Sequence, residues 1–146
     1  MMSTASPEPV LSIRQLSVTL PAGSDRAHAV HKVSLTIHPG QTLCVVGESG
    51  SGKSVMATTV MGLLAKELRP SGGEIVLQGE SLLNASASRL RALRGRSMGM
   101  VFQEPMTALN PVMNCGDQVD ELLSTHTDWP RDQRRAEIMP IFERVR

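Results

Sequence analysis

Gly47, Gly52, Lys53 and Ser54 stand at the spacing G-x-x-x-x-G-K-S, inside the stretch CVVGESGSGKSVMA of residues 44–57. Residues of these types at this spacing suit the grip of a phosphate chain. A phosphate chain carries several negative charges and needs many donors at close range. Backbone N–H groups from Gly47 through Glu48, Ser49, Gly50 and Ser51 to Gly52 supply them if the chain curls round the anion, and glycine permits that curl. A helix starting beside Gly52 adds the free N–H groups of its first turn, among Lys53, Ser54 and Val55, and its dipole. Lys53 brings a compact charge for the β- and γ-phosphates, and Ser54 a hydroxyl ligand for Mg²⁺. Lys53 is one of three lysines in a chain that otherwise uses arginine; a cradle of this kind takes a point charge better than a planar fork. The expected ligand is a nucleoside triphosphate tail with Mg²⁺.

Such a loop must be held between a strand and a helix. The preceding TLCVV, residues 42–46, is continuously apolar and reads as a strand buried on both faces. A helix is expected from about 52 to 65. Upstream, VLSIRQLSVTL alternates with one slip at Arg14-Gln15, which predicts a strand with a bulge or a bend. VSLTI, residues 33–37, alternates again, so an antiparallel pair with one solvated face is expected. RPSGG reads as a break before a short strand, EIVLQG. Residues 86–95 read as a short basic helix capped by Ser86 or Ser88 and stopped by Gly95. MGMVFQ, residues 98–103, reads as another apolar strand, and EPMTALNP as a loop. Two helices follow: one from about 114 to 124, and one from near Asp128 or Pro130 that Pro140 kinks or ends.

Composition narrows the setting. A length of 146 residues with 40% apolar content suffices for one ordinary domain. A net charge of +1 gives no bulk case for nucleic acid or an anionic membrane. The arginines at 89, 91, 94 and 96 read as a solvated helix face, because no aromatics interleave. Cys44 and Cys115 are expected as reduced, buried thiols. The nine methionines read as core filling, and the four histidines lack metal-ligand spacing. No run of 18 apolar residues is present to span a bilayer. Residues 1–9 are expected as a disordered lead without the features of a signal peptide.

VGESGSGKS at 46–54, followed by MVFQEPMTALNPVM at 100–113, closely resembles the ATPases of ABC transporters. Within them it is similar to the bacterial importers of oligopeptides, dipeptides, glutathione and nickel. The 50 residues from Lys53 to Gln103 and PSGGEIVLQG after the first helix carry the same likeness. The resemblance runs from about Val10 to Arg146. It implies an α/β P-loop NTPase fold: an antiparallel β subdomain, the start of a RecA-like core through 10–111, and the start of a helical subdomain through 112–146. It implies ATP as the nucleotide, and for Gln103 a place at the Mg²⁺ and attacking water. It implies permease subunits docking on the 104–112 loop, a second ATP-binding subunit, no nucleic-acid partner, and a cytoplasmic place on the inner face of a bacterial plasma membrane.

The family pattern is only partly present. No four-apolar run ends in Asp-Glu, the pair that would hold Mg²⁺ and activate water. PSGGE at 70–74 looks like the family's signature loop but precedes Gln103 and opens a strand. His126 sits in a polar stretch and reads as a solvated loop histidine. The chain is therefore expected to bind nucleotide at most, and to leave an apolar sheet edge or face exposed. A non-functional gene fragment is the alternative, and another P-loop enzyme the next; an N-K-x-D for guanine is lacking. The family also stacks an aromatic on adenine, whereas nothing before Phe102 is a six-membered aromatic. Leu20, Val30, His28 or His31 is left for that place.

Overall fold

The computed structural model describes residues 7–103 and 109–145. The expected disordered lead falls mostly outside them, as does most of the EPMTALNP loop. The chain forms two compact units, one ending at Arg94 and the other beginning at Gly95.

The first unit is built on a four-stranded antiparallel sheet. In chain order its elements are β1 (Leu11–Thr19), β2 (His28–Ile37), α1 (Lys53–Val60), β3 (Arg69–Leu77), β4 (Glu80–Ser81) and α2 (Ala87–Leu93). The strands lie in the order β2-β1-β3-β4. β1 is flanked on both sides, and Ile13, Leu16 and Val18 on it are almost wholly buried, with Ile75 beside them on β3. Burying each such side chain stabilises the unit by about 1.5–3 kcal/mol.

The slip at Arg14-Gln15 is a bulge, and it has a counterpart. Arg14 and Gln15 together oppose Ser34 on β2, while His31 and Lys32 together oppose Ser17 on β1. Gln15 and Lys32 adopt positive φ, 49° and 50°. Each N–H left out of the ladder is taken by the serine across: Gln15 donates to Ser34 Oγ at 2.8 Å and Lys32 to Ser17 Oγ at 3.0 Å. Two serines thus absorb two of the three extra residues, the third being Ala29 between the Val18–Val30 and Thr19–His28 pairs, and the apolar phase is restored on each side of the two bulges.

Several expectations are corrected. β3 begins at Arg69, so RPSGG is strand rather than break. Its glycines fit the bulge: a Cβ at Gly73 would lie 2.5 Å from the Gln15 carbonyl oxygen. α1 stops at Val60 rather than near residue 65. Gly62 ends it with a left-handed backbone, and Leu63 N–H returns to Thr58 O at 2.8 Å. Neither 42–46 nor 98–103 forms the expected strand. A strand needs a neighbour for its N–H and C=O groups, and among the described residues no segment pairs along either stretch. Several of their apolar residues are consequently exposed, Val46 by 90% and Val101 by 89%, while Met98 and Met100 are half-buried. The predicted apolar exposure is present, but as irregular chain rather than as a sheet edge. Cys44 and Cys115 are free and exposed, not buried.

The second unit pairs α3 (Cys115–His126) with α4 (Arg131–Arg144). Ile138 is its buried apolar residue among those described. Pro140 lies inside α4, which continues four residues beyond it. His126 is the last residue of α3, half-buried and packed against Gly95, rather than a loop histidine. The helices are tied by Arg134, whose Nε and Nη2 reach the two Asp120 oxygens at 2.7 and 3.3 Å while Nη1 donates to the Trp129 carbonyl at 2.9 Å. The Arg134 hydrogen bond, opposed in part by desolvation, holds the Asp120 carboxyl below the usual carboxylate range, and the charges of Arg134, Arg131 and Arg135 add to it.

A carboxyl lowered by folding stabilises the fold above its unfolded pKa, and that contribution is lost as pH falls through the folded value. The α3–α4 pair is therefore expected to hold at neutral pH and to loosen below about pH 4. Fluorescence of Trp129, the chain's one tryptophan, should follow it. Asp120→Asn should flatten that acid transition; an unchanged curve would show that the pair does not hold the helices together.

Candidate phosphate-binding site

Residues 47–55 are drawn together at the start of α1. Glu48 to Ser51 form a tight turn, with Ser51 N–H donating to Glu48 O at 3.2 Å. Lys53 folds back over that turn. Its Nζ donates to Gly47 O at 2.7 Å, Glu48 O at 2.7 Å and Ser51 Oγ at 3.1 Å. All three ammonium donors are thereby engaged by oxygens of the loop itself. Anionic oxygens entering the loop would compete for the same donors.

The helix beneath is prepared for negative charge. The first N–H groups of α1 have no acceptor within the helix. Its N-cap is Gly52, which carries no side chain to accept them, and its first turn holds no acid. The other helices among the described residues are answered differently. Ser86 accepts from Arg89 N–H at the start of α2, and Asp117 and Asp132 stand in the first turns of α3 and α4. Among the described helices α1 alone has neither a side-chain cap nor an acid in its first turn. Ser54 lies in that first turn with its side chain at an exposed position, and Val55 behind it is half-buried.

The sheet fixes where this helix starts. Gly52 has φ 93°, and a Cβ there would strike the Ala29 carbonyl oxygen of β2 and sit 3.2 Å from Val30 Cγ2. Only glycine meets both demands, so the second glycine of the motif is dictated by packing as much as by phosphate.

Gln103 belongs to the second unit, where it is exposed and outside any strand or helix. Most of the loop after it lies outside the described residues. Of the candidates for packing on a base, Val30 is buried. His28 and His31 have ring centroids 4.8 Å apart at 46°. Leu20 is half-buried. Among the described residues no three His, Cys, Asp or Glu side chains converge as a metal site. A Mg²⁺ held here would take Ser54 Oγ and the phosphates themselves. Arg26 also touches the loop, donating from Nη2 to Gly50 O at 2.6 Å. Sequence reasoning passed over it, because an arginine in a turn carries no local signal.

A glycine loop closed on its own lysine, at the bare end of a helix set against an antiparallel sheet, defines a phosphate-loop domain. The family model described as ABC transporter matches residues 30–146, and the chain belongs to that family. This sets aside the kinase and GTPase readings. The chain is similar to the oligopeptide transport ATP-binding protein OppD of Lactococcus lactis subsp. cremoris strain SK11, 37% identical over 138 residues, covering 94% of this chain and 41% of the relative. It is similar also to the probable D,D-dipeptide transport ATP-binding protein DdpD of Escherichia coli strain K12, 42% identical over 144 residues, covering 94% and 42%. The chain thus spans less than half the length of these relatives. Among solved structures, the fold matches the ATP-binding cassette MJ0796 in a dimeric post-hydrolysis state bound to ADP and Pi, with a TM-score of 0.72 and 22% identity over 89% of this chain and 54% of that one. It matches cbiO1 of Clostridium perfringens, part of the ABC transporter complex cbiONQ, with a TM-score of 0.67 and 24% identity over 94% and 50%.

Gly52→Ala should cost about 1–3 kcal/mol in backbone strain alone. Urea unfolding should show the loss, and the clash with β2 would add to it. A variant as stable as the parent would mean that the loop is not seated on Ala29.

Proposed function

We propose that residues 47–55 bind Mg-ATP, and that the chain is the nucleotide-gripping part of an ATP-binding subunit of an ABC importer. One observation carries the reading: Lys53 Nζ held inside the loop by Gly47 O, Glu48 O and Ser51 Oγ, above a helix end that has neither cap nor acid. Backbone N–H groups of 47–52 and the α1 terminus would take phosphate oxygens, and Lys53 would exchange its loop oxygens for those of the β- and γ-phosphates. Ser54 would supply Mg²⁺ with a hydroxyl, and Gln103 would complete that metal's shell and position water.

Peptides or similar small solutes are the proposed cargo, supported by the names of OppD and DdpD. The 104–112 loop would meet the permease subunits. Leu109 and Val112 at its end are exposed, Val112 by 88%. A second ATP-binding subunit would complete the nucleotide site, and the assembly would sit peripherally on the cytoplasmic face of the membrane. Among the described residues no helix is long and apolar enough to cross it. Residues 10–111 would form the β subdomain and loop-bearing core, and 112–146 the start of the helical subdomain.

Titration of Mg-ATP by calorimetry tests the reading. Saturable binding should weaken at least about tenfold in Lys53→Ala, the loss expected when charge-assisted hydrogen bonds are removed. Equal binding by both would refute the site. The 146-residue chain should release phosphate no faster than Lys53→Ala, because it contains no apolar run ending in Asp-Glu; faster turnover by the parent would contradict this. In the same titration GTP should match ATP within tenfold, since nothing before Phe102 offers a six-membered aromatic ring to a base.

A further inference from the structure

The phosphate loop is held from two sides by two cations. Lys53 binds it from within. From outside comes Arg26, on the connection between β1 and β2. That connection is itself ordered by hydrogen bonds: Leu20 N–H donates to Ala27 O at 3.0 Å and Ser24 N–H to Pro21 O at 3.2 Å. Arg26 is presented one residue before Ala27, and its Nη2 reaches Gly50 O at 2.6 Å across 24 positions of chain. Three residues further on, Ala29 is pressed against Gly52. The connection and the start of β2 therefore touch the loop at one point each.

The Gly50–Ser51 peptide is consequently tied at both of its polar groups. Its carbonyl accepts from Arg26 and its N–H donates to Glu48 O. A peptide fixed at both ends keeps its plane. Glu48 O is in turn shared between Ser51 N–H and Lys53 Nζ. When Lys53 moves its donors to an incoming anion, the inner ties to Gly47 O, Glu48 O and Ser51 Oγ are released together. The outer tie from Arg26 does not depend on them. A guanidinium hydrogen bond to a carbonyl is of the stronger, charge-assisted kind.

We infer that Arg26 is a positioning residue for the phosphate loop: it clamps the Gly50–Ser51 peptide from outside, so that the loop keeps its turn when Lys53 turns to a ligand. The clamp itself is a property of the ligand-free chain; its effect on nucleotide rests on the binding reading proposed above. It makes no contact with a reacting atom and acts only through the loop's shape.

The test uses the full chain, labelled with ¹⁵N, as parent, Arg26→Ala, Arg26→Lys and, as a control that removes an arginine elsewhere, Arg14→Ala. Arg14 pairs at 3.5 Å with Glu74 on β3 and leaves the loop alone. Without ligand, backbone order parameters at Gly50 and Ser51 should fall from about 0.85 to below about 0.6 in Arg26→Ala. They should recover partly in Arg26→Lys, which keeps the charge but not the planar fork, and stay unchanged in Arg14→Ala. β1 and β2 amides in the same spectra report that each variant is folded. Mg-ATP should then bind roughly three- to tenfold more weakly to Arg26→Ala than to the parent. Unaltered order parameters at Gly50 and Ser51 overturn the clamp, whatever the nucleotide does; so does unaltered Mg-ATP affinity when the parent binds. If the order parameters fall as expected and the parent shows no saturation with Mg-ATP, the clamp stands and the proposed function falls.

Discussion

The contact between Gly52 and the Ala29 carbonyl of β2 is the constraint on which the rest of the site depends. It sets the point at which loop becomes helix, and so which N–H groups face outward without acceptors. It also makes β2 a part of the site, although no residue of that strand belongs to the phosphate motif. The bulges gain a purpose from this. With two extra residues absorbed by Ser17 and Ser34, β1 and β2 stay in register over their apolar positions, and Val30 comes to lie under Gly52.

The phosphate loop was legible because its motif is local, whereas its outside supports, Ala29 and Arg26, carry no mark in the motif. Glycines, lysine and helix start fall within nine residues, and their spacing implies the geometry. The β1 slip was legible for a similar reason, since a change of phase in a period-2 pattern has few structural solutions. The paired bulge at Lys32 was not, because nothing near it in sequence marks Ser17 as the acceptor of its N–H. Segments 42–46 and 98–103 show the opposite failure. Their composition states what they would bury, but a strand is a relation between segments, and among the described residues the partner is lacking. RPSGG was misread because glycine reads as punctuation; here it accommodates the bulged β1 backbone beside it. The early end of α1 was readable in principle from Gly62.

Of the predicted site residues, Gly47 to Val55 form one continuous feature, while Gln103 lies in the other compact unit. The division has a chemical side. Gripping phosphates needs donors close in sequence on a rigid support, and the first unit supplies both. The proposed roles in positioning water and meeting a permease fall on segments that come later in the chain, Gln103 and the 104–112 loop.

Among the described residues β2 is the longer of the two outer strands of the sheet, and a ten-residue outer strand is ordinarily a place where a second copy of a chain can add itself. The bulge at Lys32 spoils that template. Lys32 turns at φ 50° and gives its N–H inward to Ser17, so an approaching strand meets a broken ladder and a positive charge. Self-association of this unit would therefore proceed by side-chain adhesion at Leu43, Val45 and Val46 rather than by extension of the sheet, giving amorphous clusters in place of ordered fibres.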